Sequence, residues 1–388
     1  MKGSSCKNTG VFPHGRIPTR GRNIYRIKDC FVLKRGAIPP WHLPGSVPVY
    51  NGGMTANETV AISNADPFTI VISAIGSCGY VNQPRIPFWQ GNNCYGLIAN
   101  STPRYWYHLL KANETRIQDL RAGSSQPYIP RKVLLDLEVS ATDNIEEQER
   151  IADVLDVLDR RLDALLKLLD KQNSIKKSTL SLLMQPKNQW GSIALCSFEF
   201  HRNNTCSRAL TTSEIGTVKN IHYGDILIKF PEIVSLKTCD VDCLTEEGVR
   251  HAPDDYLQDG DIVIADTAED ETVGKMIEIQ DVGDAKIVSG LHTVFLRPPK
   301  NLFVRGWLGY WMNSTYYHDQ LLPLMTGIKV LSVSKAALAL SDVFYPPMDE
   351  QQRIVKCLTV LDNAISDTRA VIEKSQQLKR GLMRYFFG

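Results

Sequence analysis

Carboxylates, thiols and glycines are the residues from which most active sites are built, and here their spacing supports none of the common ones. Asp254, Asp255, Asp259, Asp261 and Asp266 crowd one stretch, but they straddle a turn and a strand at irregular intervals, with His251 the one histidine beside them. They read as a solvated acidic face rather than a cation site. Nuclease chemistry needs carboxylates and a lysine converging on one strand, and Glu278 and Lys286 are too far apart in sequence to give that. Cys239 and Cys243 have no second Cys/His pair at zinc spacing, and the nine cysteines are odd in number and scattered. They read as reduced thiols of a cytoplasmic protein, with no metal. Thr272-Val273-Gly274-Lys275-Met276 lacks both the upstream glycine and the hydroxyl of a phosphate-binding loop. No G-x-S-x-G or H-E-x-x-H occurs, and no strand leads into a G-x-G that opens a helix, so neither a dinucleotide nor an S-adenosylmethionine pocket is supported. Gly76-Ser77-Cys78-Gly79 follows a strand and reads as a tight hairpin turn before it reads as a phosphate nest. The expectation is a non-catalytic chain with no cofactor of its own.

The chemistry that remains is recognition of a polyanion. The net charge is only +2 over 388 residues, but it is unevenly spread: residues 1–133 hold 16 Lys and Arg against 5 Asp and Glu, whereas 188–344 hold 13 against 21. Arg16, Arg20, Arg22, Arg26, Lys34 and Arg35 form a basic stretch suited to phosphate contacts, which position a duplex without specifying its sequence. Base reading needs bidentate-capable polar side chains on loops. In the first half these are Asn51, Arg85, Asn92, Asn93 and Gln126; in the second, His201, Arg202, Asn203, Ser289, His292 and Lys329. The acidic balance of the second half requires its basic residues to be gathered on one face.

Such residues need elements to hold them, and an internal repeat supplies the plan. Glu147-Gln148-Glu149-Arg150-Ile151 through Leu158-Asp159 matches Glu350-Gln351-Gln352-Arg353-Ile354 through Leu361-Asp362, 203 residues later, in the pattern E-Q-x-R-I-x-x-x-L-x-V-L-D. Ile175-Lys176-Lys177 stands 203 residues before Leu378-Lys379-Arg380. Each copy reads as one long helix with a heptad seam: Ile151, Leu155, Leu158, Leu162, Leu165 and Leu169 in the first; Ile354, Leu358, Leu361, Ile365 and Ile372 in the second, where Thr368 is the polar exception. Asp143 or Asn144 can cap the first helix, and Pro346-Pro347 ends the chain segment before the second. Seams so narrow need another helix to cover them, and the shared register predicts that these two pair with each other.

A β-rich segment precedes each helix. Phe68–Ser73 and Gly260–Ala265 read as equivalent buried strands, Leu97-Ile98-Ala99 parallels Val294-Phe295-Leu296, and an aromatic helical stretch with a late glycine follows in both, Gly123 and Gly327. The fold class is therefore α+β: two pseudo-repeated globules separated by two long helices that form an antiparallel coiled coil. The expected partition is 1–140, 141–187, 188–345 and 346–388. No apolar run approaches the ~18 residues of a membrane span, and residues 1–10 lack the apolar core of a signal peptide.

The repeated helix, its Lys/Arg-rich exit, Pro346-Pro347-x-x-Glu350-Gln351, Gly260-Asp261-Ile262-Val263-Ile264-Ala265, Pro48-Val49-Tyr50-Asn51-Gly52 and the tail Leu378–Met383 together resemble the specificity subunits of type I restriction–modification enzymes. The resemblance runs through nearly the whole chain in order. It departs in the first helix, which has Ala141-Thr142-Asp143-Asn144 in place of the prolines and Ser178 in place of Gly381. It implies two target-recognition domains reading the halves of a bipartite double-stranded DNA sequence, spaced by the coiled coil. It also implies partners: methyltransferase subunits, two of them, that carry S-adenosylmethionine, and restriction subunits that use ATP and Mg. The alternatives are a specificity subunit of a related multi-subunit restriction system and a coiled-coil scaffold that binds no DNA.

Overall fold

The computed structural model describes residues 22–56 and 58–388. It forms two compact units: one reaches to Lys167 and resumes over Arg369–Gly388, the other is Leu168–Thr368. Both boundaries fall inside the long helices, so each unit is a globule with a stretch of both helices on it.

The two globules have the same sheet plan. In the first, the strands run in the order Phe31–Arg35, Cys94–Ala99, Ile70–Ser73, Val81–Asn82, all antiparallel. In the second, Glu199–His201, Thr293–Arg297, Ile262–Ala265 and Met276–Gln280 repeat that order, and Ile233–Ser235 adds a parallel edge. Ile70–Ser73 and Ile262–Ala265 are covered on both faces, which is why they read as unbroken apolar runs with no alternation. A smaller sheet beside each keeps one strand antiparallel on one side and parallel on the other: Val47–Tyr50 between Glu58–Val60 and Trp89–Gln90, and Val218–Ile221 between Cys243–Leu244 and Lys286–Ser289. Gly76–Gly79 is a hairpin turn, with both glycines at positive φ between Ile70–Ser73 and Val81–Asn82. Each globule is closed by pairing its first strand with the strand that leads into the following helix, Arg22–Arg26 with Glu138–Thr142 and Gly191–Ala194 with Asp342–Tyr345.

The long helices are Ile145–Leu183 and Met348–Phe387. Of the two candidate caps it is Asn144 that accepts the Glu147 amide, at 3.2 Å. The helices pair antiparallel. In the second unit Lys176 reaches Asp362 and Gln172 donates to the Ala364 carbonyl, so one number rises as the other falls; in the first unit Lys379 bonds Asp159. Ile151, Leu155, Leu158, Ile354, Leu358, Ile365 and Ile372 are buried, and Leu162, Leu165, Leu169 and Leu361 are partly covered. Thr368 and Ser375 occupy buried seam positions and return their hydroxyls to Ala364 and Val371 of their own helix, which satisfies them without a partner.

The repeated motif can now be read residue by residue. Gln148 and Gln351 are buried latches: their amides donate to the Thr142 and Pro346 carbonyls of the strand–helix joint, and Gln351 also accepts from Val304. Arg150 and Arg353 pair only with exposed acids one turn away, Glu146 and Asp349, and such pairs contribute little. The seam residues enter the globular cores. Ile151 and Leu155 join Ile70, Leu97, Tyr105 and Leu109, and that core is completed by Leu382, Met383, Phe386 and Phe387. In the second unit Ile354 and Leu358 join Trp307, Tyr310 and Trp311, with Leu180, Leu183 and Met184 in the equivalent places.

A charged cluster marks the foot of the first helix. Asp156, almost wholly buried, takes His108 Nε2 at 3.0 Å, Arg85 at 2.9 Å and Arg104 at 3.1 Å. His108, Asp156 and Asp159 are the one group among the described residues close enough to share a metal ion, but two guanidiniums and Lys379 already neutralise those carboxylates. Burial lowers the His108 pKa in spite of Asp156. Burial raises that of Asp156, but its bonds to His108 and Arg104 outweigh this and bring it down. Both shifts act in the same direction. An imidazole kept neutral when folded takes its proton more readily once unfolded, so stability falls as the pH drops below 6.5. The Asp156 contribution follows as the pH falls through the carboxylate range. Unfolding of the first unit followed against pH should show this acid limb, and His108→Gln should flatten its upper part. An unchanged slope would mean that the imidazole titrates alike in the folded and unfolded states.

Candidate nucleic-acid interface

Three turns converge at one edge of each globule, tied by the same backbone bonds. In the first unit Gly91 N donates to Tyr50 O (2.8 Å), Asn93 N donates to Asn51 Oδ1 (3.2 Å), and Ala74 and Ile75 both donate to Asn93 O. Ile75 then bridges to Tyr128, at the base of the turn that contains Gly123 and Gln126. Gly52 is required here: its φ is +83°, and a Cβ would stand 2.3 Å from Ile75 O. In the second unit Gly290 N donates to Ile221 O (2.8 Å), Asp266 N donates to His292 O (3.1 Å), and Val333 N donates to Asp266 O (2.9 Å). Thr267 pairs with Ser332 at the base of the hairpin that carries Gly327 and Lys329. Asn51 and His222, Asn93 and His292, and the Gly123 and Gly327 turns are thus equivalent positions on two copies of one scaffold.

Asn51, Asn92, Asn93 and Gln126 all belong to the first edge. Asn51 is partly committed, since its carboxamide oxygen holds the 91–93 turn, and Gln126 is exposed. Arg85 lies elsewhere, bound to Asp156 at the helix foot. Arg22 begins the closing strand opposite Thr142, and Arg26 is paired with Glu138, whereas Lys34 and Arg35 are exposed on their strand. Arg16 and Arg20 lie outside the described residues.

At the second edge His292 stands at φ +53°, a conformation unusual for a side-chain-bearing residue, with half its side chain exposed and its ring edge-on to Tyr223. Asn203 donates to Gly290 O at 3.3 Å. His201 is held by Asp255 through Nδ1 at 2.9 Å and stacks on Phe295, while the Arg202 amide donates to the other Asp255 oxygen. Burial works against the Asp255 charge, but these two bonds prevail and keep its carboxyl below the usual range. Lys329 projects from the hairpin tip next to Ile328, which is fully exposed. Ser289 is wholly buried with its hydroxyl 2.6 Å from that of Thr293, so its place is behind the edge. The acidic stretch differs from a solvated face: Asp261 is buried against Arg297, Asp255 holds His201, and Asp259 faces Arg305. His222 and Tyr223 belong to the same edge, and the sequence analysis missed them. Their signal was positional, since Ile221-His222-Tyr223 follows its strand as Tyr50-Asn51-Gly52 follows its own.

These features can be set beside known proteins. Residues 21–177 match the family model described as the type I restriction modification DNA specificity domain. Among curated proteins, the chain is 28% identical over 158 residues to a putative type I specificity subunit of Mycoplasma genitalium, a stretch covering 40% of each chain. It is 22% identical over 311 residues to the specificity subunit of the type I restriction enzyme MjaVIII of Methanocaldococcus jannaschii, covering 72% of this chain and 68% of that one. Among solved structures, the S subunit of a type I restriction–modification system from M. genitalium shares its fold, with a TM-score of 0.67 at 19% identity over 97% of this chain and 98% of that chain. Two equivalent globules and two long paired helices give the chain the fold of a type I restriction–modification S subunit, and its residues 21–177 match the type I restriction modification DNA specificity domain.

Proposed function

We propose that this protein is a non-catalytic DNA-reading subunit in which each unit recognises half of a bipartite duplex sequence and the assembled complex acts there. The observation that supports this most directly is the duplicated edge: two copies of one three-turn scaffold carry different polar side chains, Asn51, Asn93 and Gln126 in one and His222, His292 and Lys329 in the other. A shared frame with different contents suits two readers of different sequences. In this reading the recognition domains are 1–140 and 188–345, and the spacer helices are 141–187 and 346–388.

The helices also offer a place for partners. Val157 and Val360, Ile175 and Leu378, and Leu182 and Tyr385 are equivalent positions of the repeat, apolar in both copies and exposed in both. Two such stripes accommodate two methyltransferase subunits, which would carry S-adenosylmethionine, with ATP and Mg used by a restriction subunit. Among the described residues no helix is long and apolar enough to cross a membrane, and a cytoplasmic site of action is part of the proposal.

The test is a salt-titrated gel shift against a randomised duplex library, with the chain alone and with methyltransferase subunits. Selection of a two-part site supports the proposal; no duplex binding in either condition leaves the scaffold reading. Arg20→Ala with Arg22→Ala should weaken binding to all sequences and lower the salt slope by about 2. A changed base preference at constant slope would assign those arginines to bases.

A further inference from the structure

The two long helices are joined by ion pairs that are copies of each other. In the first unit Lys379 Nζ bonds Asp159 Oδ1. In the second, Lys176 Nζ lies 2.6 Å from Asp362 and 2.7 Å from Glu232, and Tyr310 donates to Asp362 at 2.6 Å. Asp159 and Asp362 are one position of the repeat, Lys176 and Lys379 a second, and Tyr107 and Tyr310 a third, each 203 residues apart. The four charged side chains are mostly covered, at 15% and 26% exposure for Lys176 and Asp362 and 20% and 21% for Lys379 and Asp159. Lys176 and Lys379 stand on the seam itself, two steps beyond Leu169 and Ile372 at the same heptad spacing.

A leucine seam taken alone is degenerate, because sliding one helix by seven residues, about 10 Å, re-forms contacts of the same kind. Here the helix ends seated in the two cores oppose that slip, and the covered charges add to them. A covered charge is not degenerate. Slip would leave each lysine and each aspartate without its partner, and a half-buried charge that has lost its partner is strongly unfavourable. Polar residues on coiled-coil seams are the best-attested means of specifying register.

We infer that Asp159 with Lys379, and Asp362 with Lys176 and Tyr310, are positioning residues that fix the register of the helix pair and so select the spacer length between the two half-sites. This rests on the bipartite reading proposed above. The duplication makes the device reciprocal: each helix supplies the acid of one pair and the base of the other.

The experiment uses the full chain co-expressed with methyltransferase subunits, selecting two-part sites from a randomised duplex library and reading the spacer length. Asp159→Lys with Lys176→Asp reverses both charges on one helix at constant net charge, setting lysine against Lys379 and aspartate against Asp362. It should lose at least tenfold affinity for the parent spacer or select a different or broadened one. Adding Asp362→Lys and Lys379→Asp, with Glu232→Gln carried throughout so that no carboxylate of Glu232 faces the reversed charge at position 176, should restore the parent spacer and bring affinity back to within about threefold. Because the first variant can fail through misfolding, a neutral one is run beside it: Asp159→Asn, Lys176→Met, Asp362→Asn and Lys379→Met should keep helical content and unfolding midpoint while broadening the spacer distribution. A neutral variant that is folded and keeps a single parent spacer overturns the inference, as does a four-way reversal that recovers nothing. If the unmodified chain selects no two-part site, the bipartite reading itself fails, and that outcome is visible before any variant is examined.

Discussion

Leu358→Ala is expected to cost the second unit about 3 kcal/mol, and Leu155→Ala the first unit a similar amount. Both leucines are fully buried, both occupy one position of the repeat, and each belongs to the core where its helix meets its globule. Truncation removes the transfer free energy of three carbons and leaves a void that the surrounding aromatics, Trp307 and Trp311 in one case and Tyr105 in the other, are too rigid to fill. In calorimetry the affected unit should melt about 6–12 °C lower, at roughly 2–4 °C per kcal/mol for units of this size. Val360→Ala provides the contrast. The valine is identical in both copies but 54% exposed at Val157 and 60% at Val360, so its loss should stay within about 0.5 kcal/mol. If Val360→Ala proves as damaging as Leu358→Ala, the seam has been placed on the wrong face.

Arg297→Ala should be comparably severe and should carry a pH signature. Asp261 is 1% exposed and receives Arg297 through Nε at 2.9 Å and Nη2 at 2.7 Å, with the Gln258 amide as a further donor. Burial already raises the Asp261 carboxyl against the pull of Arg297. Removing the guanidinium leaves a buried carboxylate with one amide donor, a loss of about 3–5 kcal/mol near neutral pH. Without Arg297 the folded pKa rises further above the unfolded one. The folded state then binds a proton that the unfolded state releases, so the deficit should be largest at high pH and shrink as Asp261 is protonated. Denaturant unfolding of the variant at two pH values checks this, and a pH-independent deficit would mean that the arginine acts through packing.

Legibility followed the kind of force involved. The long helices, their pairing and the duplicated strands were readable because heptad spacing and apolar runs are local consequences of burial, and repetition at 203 residues doubled the signal. Thr368 was recognisable as a polar seam residue, whereas the seam's continuation through Ser375 and Lys379 was not, since nothing apolar marks it. The acidic stretch was misread because a carboxylate's partner is set by tertiary packing: Asp261 and Arg297 meet across neighbouring strands, 36 residues apart. The turns carrying Asn51, Asn92 and Asn93 were visible through their glycines. His222 and Tyr223 carry no glycine and surfaced only through the bond from Gly290 to Ile221. Ser289 shows the opposite error, a polar residue on a strand whose side chain points inward.

The way the first core is closed bears on how the protein must be made. Leu382, Met383, Phe386 and Phe387 pack against Tyr105 and its neighbours, and Phe387 meets the Tyr105 ring at 5.6 Å. Asp159 waits 220 residues for Lys379. During translation the earlier globule therefore leaves the ribosome with an apolar cleft uncovered while the later one is still being synthesised. Protection against proteolysis in that earlier globule should arrive only once Leu382, Met383, Phe386 and Phe387 have been made, well after its own strands.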